Sequence, residues 1–176
     1  ELTQDYIRKF LIAYYTKKDL EENRSRYKPF MTDGLYTSVV NMENEPVNQT
    51  YKGYVVDQAF KSADIFIDEK NNTAIATINY TNTLLKNKGD YKDAQKNVAS
   101  KNTLRLTFTK DGKKFKVNNM SYLIVTDSAN VTDTTNSYGT LESASSSGSN
   151  ASASTGTSGS GNATSPTSTD SLNSEE

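Results

Sequence analysis

The sequence contains no cysteine, no histidine and no tryptophan. Without Cys there is no disulfide and no thiolate metal site. Without His there is no Ser–His or Cys–His nucleophile, and the commonest zinc ligand is missing. Much of ordinary hydrolase chemistry is thereby excluded. No stretch approaches the roughly 18 consecutive apolar residues that mark a membrane-spanning helix. No signal peptide is legible. Beyond Lys116 the chain has no Lys or Arg at all.

That last absence divides the chain in two. Residues 127–176 hold 24 Ser or Thr in 50 positions, and their large apolar residues are only Val131, Tyr138, Leu141 and Leu172. Such a segment cannot bury enough apolar surface to offset chain entropy, so a disordered tail is expected there. Residues 1–126 carry 20 basic and 15 acidic groups, a net of +5; residues 127–176 carry none and six, a net of −6. The basic residues of the first part are spread out, with no basic stripe interleaved with aromatics. A nucleic-acid partner is therefore not expected.

Within 1–126 the first signal is helical. Ile7, Phe10, Leu11 and Tyr14 recur at i, i+3, i+4 and i+7. Thr3 is the expected N-cap and Asp5 suits the first turn, with Lys17 and Lys18 in the last. Asp19 to Glu22 reads as the start of a second helix that ends before Pro29. Asp33 to Met42 reads as a third, capped by Thr32, with Leu35, Tyr36, Val39 and Val40 facing inward. Pro46 then closes the helical half.

Strand signals follow. Residues 51–68 place Tyr54, Val56 and Phe60 in one phase and Ile65 and Ile67 in the other, so a bulge or bend is expected near 62–64. Residues 69–72 read as a turn, and 73–85 as a second strand with Ala74, Ala76, Ile78, Tyr80 and Leu84 in phase. A long polar connection is expected over 86–101. Leu104, Leu106 and Phe108 then mark a third strand over 102–110. Asp111-Gly112 favours a type I′ hairpin turn. The fourth strand, 113–126, changes phase at Asn118-Asn119, from Phe115 and Val117 to Met120, Tyr122 and Ile124. The expected fold is α+β: helices, then a four-stranded antiparallel meander curled by its bulges into a half-cone around the first helix.

This order resembles the NTF2-like fold. The run Tyr6–Lys18 with Asp19-Leu20 and the Leu35-Tyr36 helix resembles, more narrowly, the PrgL-type assembly factors of Gram-positive conjugative type IV secretion. The resemblance covers residues 3–126. It implies a cytoplasmic segment and a single transmembrane helix preceding Glu1, with this domain on the extracellular, cell-wall side of the membrane. It also implies a non-catalytic scaffold that binds itself, a dimer being favoured over a trimer, and other channel proteins.

NTF2-like enzymes use a carboxylate or a Tyr inside the cone, and the candidates are Asp57, Asp64, Tyr54 and Tyr80. Asp57 is out of phase with its apolar neighbours and Asp64 suits a turn, so both are expected at the surface. No metal or cofactor site is legible. Of eleven tyrosines, ten lie in 1–126. Tyr6, Tyr14, Tyr15, Tyr27, Tyr36 and Tyr51 crowd the helical half, where they serve either the core or a subunit interface. Lys86, Lys88, Lys92, Lys96 and Lys101 sit in the polar connection, read as a solvated loop or a docking loop. Two other readings stay open: a small enzyme or ligand-binding domain, and a secreted surface protein with a spacer tail.

Overall fold

The computed structural model describes residues 1–124. The expected disordered tail, and the expected domain boundary after residue 126, lie outside the described residues.

The first helix, α1 (Gln4–Tyr15), begins where the Thr3 hydroxyl accepts the Tyr6 N–H, and it buries Ile7, Phe10, Leu11, Tyr14 and Tyr15. It stops earlier than the periodicity predicts. Thr16 is extended, at φ −119° and ψ 110°. Lys17 then donates its N–H to the Gln58 carbonyl at 3.0 Å, and Lys18 O accepts from Asp57 N at 2.8 Å. Lys17 therefore forms an isolated antiparallel bridge with Gln58, and Lys17 and Lys18 do not finish the helix.

Residues 19–23 form a turn, not the start of a second helix. Asp19 Oδ1 takes the Leu20 N–H at 2.7 Å and the Gly53 N–H at 3.1 Å. A short acidic side chain that captures backbone donors in this way competes with helix formation. A single helical turn, α2 (Arg24–Tyr27), follows and runs into a 3-10 turn, Lys28–Phe30. Pro29 thus lies inside the helical stretch rather than beyond it. The next helix, α3 (Asp33–Glu43), is capped by Thr32 and buries Leu35, Val39, Met42 and Glu43. Pro46 opens a further turn, α4 (Pro46–Gln49), instead of closing the helical half. Proline suits a first helical position because its missing N–H would be unpaired there anyway.

Four strands follow: β1 (Val55–Asp68), β2 (Thr73–Leu84), β3 (Gln95–Asp111) and β4 (Lys114–Leu123). They form one antiparallel sheet in the order β1-β2-β3-β4. The helices pack against this sheet, so the α+β reading and the meander hold. The phase change in β1 is a register shift between Phe60 and Ser62, with a second, unexpected one between Val56 and Ala59, where Asp57 has φ 51°. In β4 Asn118 is the extra residue, between the pairs Phe108↔Val117 and Thr107↔Asn119.

Several sequence expectations are corrected here. Residues 51–54 are turn rather than strand, and Tyr54 is exposed instead of facing the core. Leu84 is half-buried, because the shift between Asn82 and Leu84 turns it away from the inner row. The polar connection is shorter than expected, since β3 already begins at Gln95. Backbone pairing with β2 needs no apolar side chains, and the side chains of 95–101 stay largely in water. The hairpin turn is Gly112-Lys113, with Asp111 paired to Lys114 and only Gly112 at positive φ, 63°. Glycine at the first central position is the type II′ pattern, not type I′. Ile124 is 80% exposed and does not continue the inner row.

Because β4 ends at Leu123, opposite Thr103, residues 95–102 of β3 have a strand neighbour only on the β2 side among the described residues. At the other edge, α1 lies along β1: Gln4 Nε2 donates to Ile65 O and Arg8 Nη1 to Ala63 O. The core lies between α1 and the sheet. Ala63, Ala74 and Ala76 are small, and together with Ile78, Leu104 and Leu106 they leave room for the rings of α1.

Candidate functional site

Two buried clusters bring polar chemistry together. The first is aromatic. Tyr14 packs on Tyr15 at 5.3 Å and on Tyr27 at 5.4 Å between ring centroids, and Tyr15 packs on Tyr80 at 4.9 Å. Phe10 and Phe30 extend the chain of rings towards Tyr6. Asn102 Nδ2 donates to the Tyr15 hydroxyl at 3.2 Å. Burial, reinforced by the neighbouring phenols, pushes Tyr14, Tyr15 and Tyr122 well above the usual tyrosine value. These phenols stay protonated and act as hydrogen-bonding core residues.

Of the six tyrosines weighed for core or interface, Tyr14, Tyr15 and Tyr27 are buried inside the chain. Tyr6 and Tyr36 are half-buried and packed on the core, the Tyr6 hydroxyl donating to the Phe115 carbonyl. Tyr51 is 47% exposed and the most accessible of the six.

The second cluster is charged and was not foreseen. Glu43 is almost fully buried at the end of α3. Its Oε2 receives Arg24 Nε at 2.8 Å and its Oε1 receives the Tyr27 hydroxyl at 2.9 Å. Burial alone would lower Arg24, but the hydrogen bond and charge of Glu43 outweigh it and raise Arg24 overall. Burial first, then Glu43, raises Tyr27. Lys17 is buried nearby. Desolvation holds its amine below the usual lysine value, against the opposing pull of Glu43 and Asp19.

The cluster extends outward through Glu21, which pairs with Lys52 at 2.9 Å and accepts Gln49 Nε2 at 2.7 Å. Gln49 also donates to the Glu43 carbonyl at 2.8 Å. Asn23 Nδ2 donates to the last-turn carbonyls Ala13 O and Tyr14 O, filling acceptors that the end of α1 leaves open. A signal for Glu43 was present in the sequence. It lies four residues after Val39 and eight after Leu35, on the apolar stripe of α3.

The candidates for proton transfer do not converge. Asp57 and Asp64 are exposed. Asp57 Oδ2 accepts the Tyr91 hydroxyl at 2.8 Å, and Asp64 stands on the outer sheet face opposite Thr77. Tyr54 is exposed, whereas Tyr80 is buried against Tyr15. Lys86, Lys88, Lys92, Lys96 and Lys101 are all exposed, the first three in the connection and the last two on β3. Among the described residues no group of three acidic side chains is placed to hold a metal ion, and no helix is long and apolar enough to cross a membrane. A shallow cavity of about 230 Å³ is lined by Glu1, Leu2, Glu69, Asn72, Lys110 and Phe115. Its lining includes neither the buried tyrosines, nor Glu43 and Arg24, nor Asp57 and Asp64.

No protein-family model matches this sequence. No curated protein matches it either. Among solved structures it is similar to a TraE protein in complex with 4-(1H-pyrrol-1-yl)pyridine-2-carboxylic acid. The TM-score is 0.48 and the identity 7%, over 68% of this chain and 93% of that one. A likeness at that level carries no functional inference.

Proposed function

We propose that this domain is a non-catalytic assembly component of a conjugative type IV secretion channel, acting through self-association and contacts with other channel proteins. In this reading it stands outside the membrane, carried by a transmembrane helix that precedes it. The observation that carries the non-catalytic part is how the space between α1 and the sheet is used. An NTF2-like enzyme keeps a pocket there. Here Phe10, Tyr14, Tyr15, Tyr27 and Tyr80 occupy it, every one of them buried. The candidate carboxylates Asp57 and Asp64 lie on the surface instead. A filled interior leaves the exterior to do the work, which suits a rigid body that presents surfaces. The assignment to a conjugative channel rests on the resemblance of element order and of the Tyr6–Lys18 run.

The test is made in the host that carries the gene. Deleting the coding region for residues 1–124 is expected to reduce conjugative transfer to background, and transfer at the normal frequency would overturn the proposal. Asp57→Asn is expected to leave transfer unchanged. Loss of transfer in that variant, when it is well folded, would favour the enzyme reading.

A further inference from the structure

The outer face of the sheet carries exposed apolar side chains on two neighbouring strands. Phe66 is 71% exposed and Ile75 39% exposed, and the two are directly paired across β1 and β2. The same row continues through Ile75↔Arg105 to Arg105↔Ser121. Single exposed apolar residues are commonplace, but an aromatic and a branched aliphatic side chain side by side make a patch. Around them stand Thr73, Thr77, Thr103 and Thr107, all half-buried and all on this face. The ladder here is regular, unbroken from Ser62↔Asn79 to Asp68↔Thr73.

The charges on this face are arranged about the patch. Asp64 and Asp68 flank Phe66 two residues away on either side, all three in the same phase and all exposed. Arg105 lies on the same row, two strands away, roughly 10 Å across the sheet. Among the described residues nothing pairs with Arg105 or with the Asp64 carboxylate, while Asp68 is held by Asn71.

We infer that this face binds a second copy of the chain. The reason is that the pattern complements itself under a two-fold rotation. An axis parallel to β2 and passing over Ile75 sets β3 of one copy above β1 of the other. Ile75 then meets Ile75. Arg105 comes over the Phe66 ring of its partner, between the partner's Asp64 and Asp68, and the reverse contact forms at the same time. Each half supplies a cation–π contact and ion pairs around an apolar centre. Two sheets meeting face to face about 10 Å apart is an ordinary packing of regular sheet faces. This inference supplies a surface for the self-association proposed above and rests on that proposal.

The experiment uses the full 176-residue chain in analytical ultracentrifugation across a concentration series, with circular dichroism confirming that each variant folds. The wild type is expected to show a monomer–dimer equilibrium. Phe66→Ser and Arg105→Asp are each expected to move its midpoint roughly tenfold or more to higher concentration. Asp64→Arg is expected to weaken self-association as well. Mixing the Arg105→Asp and Asp64→Arg chains is expected to restore dimers, because the exchanged charges complement each other only between unlike chains. A wild-type dimer indifferent to Phe66→Ser and Arg105→Asp would overturn this face while leaving self-association intact. A wild type that stays monomeric throughout would overturn both.

Discussion

Both oxygens of Glu43 are committed, one to Arg24 and one to the Tyr27 phenol, and the side chain is only 3% exposed. Truncating it leaves the Arg24 guanidinium with only the more distant Glu21 carboxylate, at 3.7 Å, and the Tyr27 phenol without its acceptor. Glu43→Ala is therefore expected to cost about 3–5 kcal/mol in urea denaturation. A loss under about 1 kcal/mol would mean the pair behaves like a surface ion pair. The acid side of stability belongs to the rim of the same cluster. The hydrogen bond from Lys52 holds Glu21 below the usual carboxylate value, and the bond from Arg26 does the same for Glu22. An unfolded chain would protonate these carboxylates at a higher pH than the folded one does. Their contribution is thus complete above the ordinary carboxylate value and is lost as pH falls through the lowered one. Lys52→Met is expected to flatten the fall in melting temperature on acidification, with the Glu22–Arg26 share remaining. An unchanged acid slope would show that Glu21 gains nothing from Lys52.

At the scale of elements, legibility followed periodicity. The apolar stripes of α1 and α3, with Thr3 and Thr32 as caps, could be read because propensity, capping and burial agree there. The inner rows Ala74–Ala76–Ile78–Tyr80 and Leu104–Leu106–Phe108 were legible for the same reason. What was not legible depends on partners distant in sequence. Lys17 and Lys18 leave the helix because β1 offers Gln58 and Asp57 to pair with. Asp19 holds a turn partly because Gly53 N–H lies across from it. The first half of β3 carries Gln95, Lys96 and Asn97, which no strand pattern would select, and β2 alone draws it into the sheet. Of the buried clusters, the tyrosines were visible as a composition. Their division into Tyr14, Tyr15 and Tyr27 inside and Tyr51 outside was not, since it is decided by which side of the tertiary packing each ring meets.

At the scale of the whole molecule, neighbours in the sheet are neighbours in sequence, so the meander needs no crossover. That simplicity leaves a loose end. Along residues 95–102 of β3, half of the backbone donors and acceptors point to a side where no described strand lies. Such an edge invites a like edge from another copy. Lys96 and Lys101 stand on it, exposed. Two such edges brought together would set lysine near lysine, so the charges hold copies apart. The double variant Lys96→Thr, Lys101→Thr is expected to develop turbidity faster than the wild type at equal concentration, and an equal rate would show that the lysines do not guard the edge. Ionic strength then separates the two ways in which copies can meet. Salt screens charge within about 10 Å at 0.1 M. It should loosen the face around Ile75, where Arg105 would meet Asp64 and Asp68, and ease edge-to-edge contact, where like charges meet. On the proposed pairing, the salt concentration of a preparation would set the form of association, ordered pairs at low salt and disordered growth at high salt.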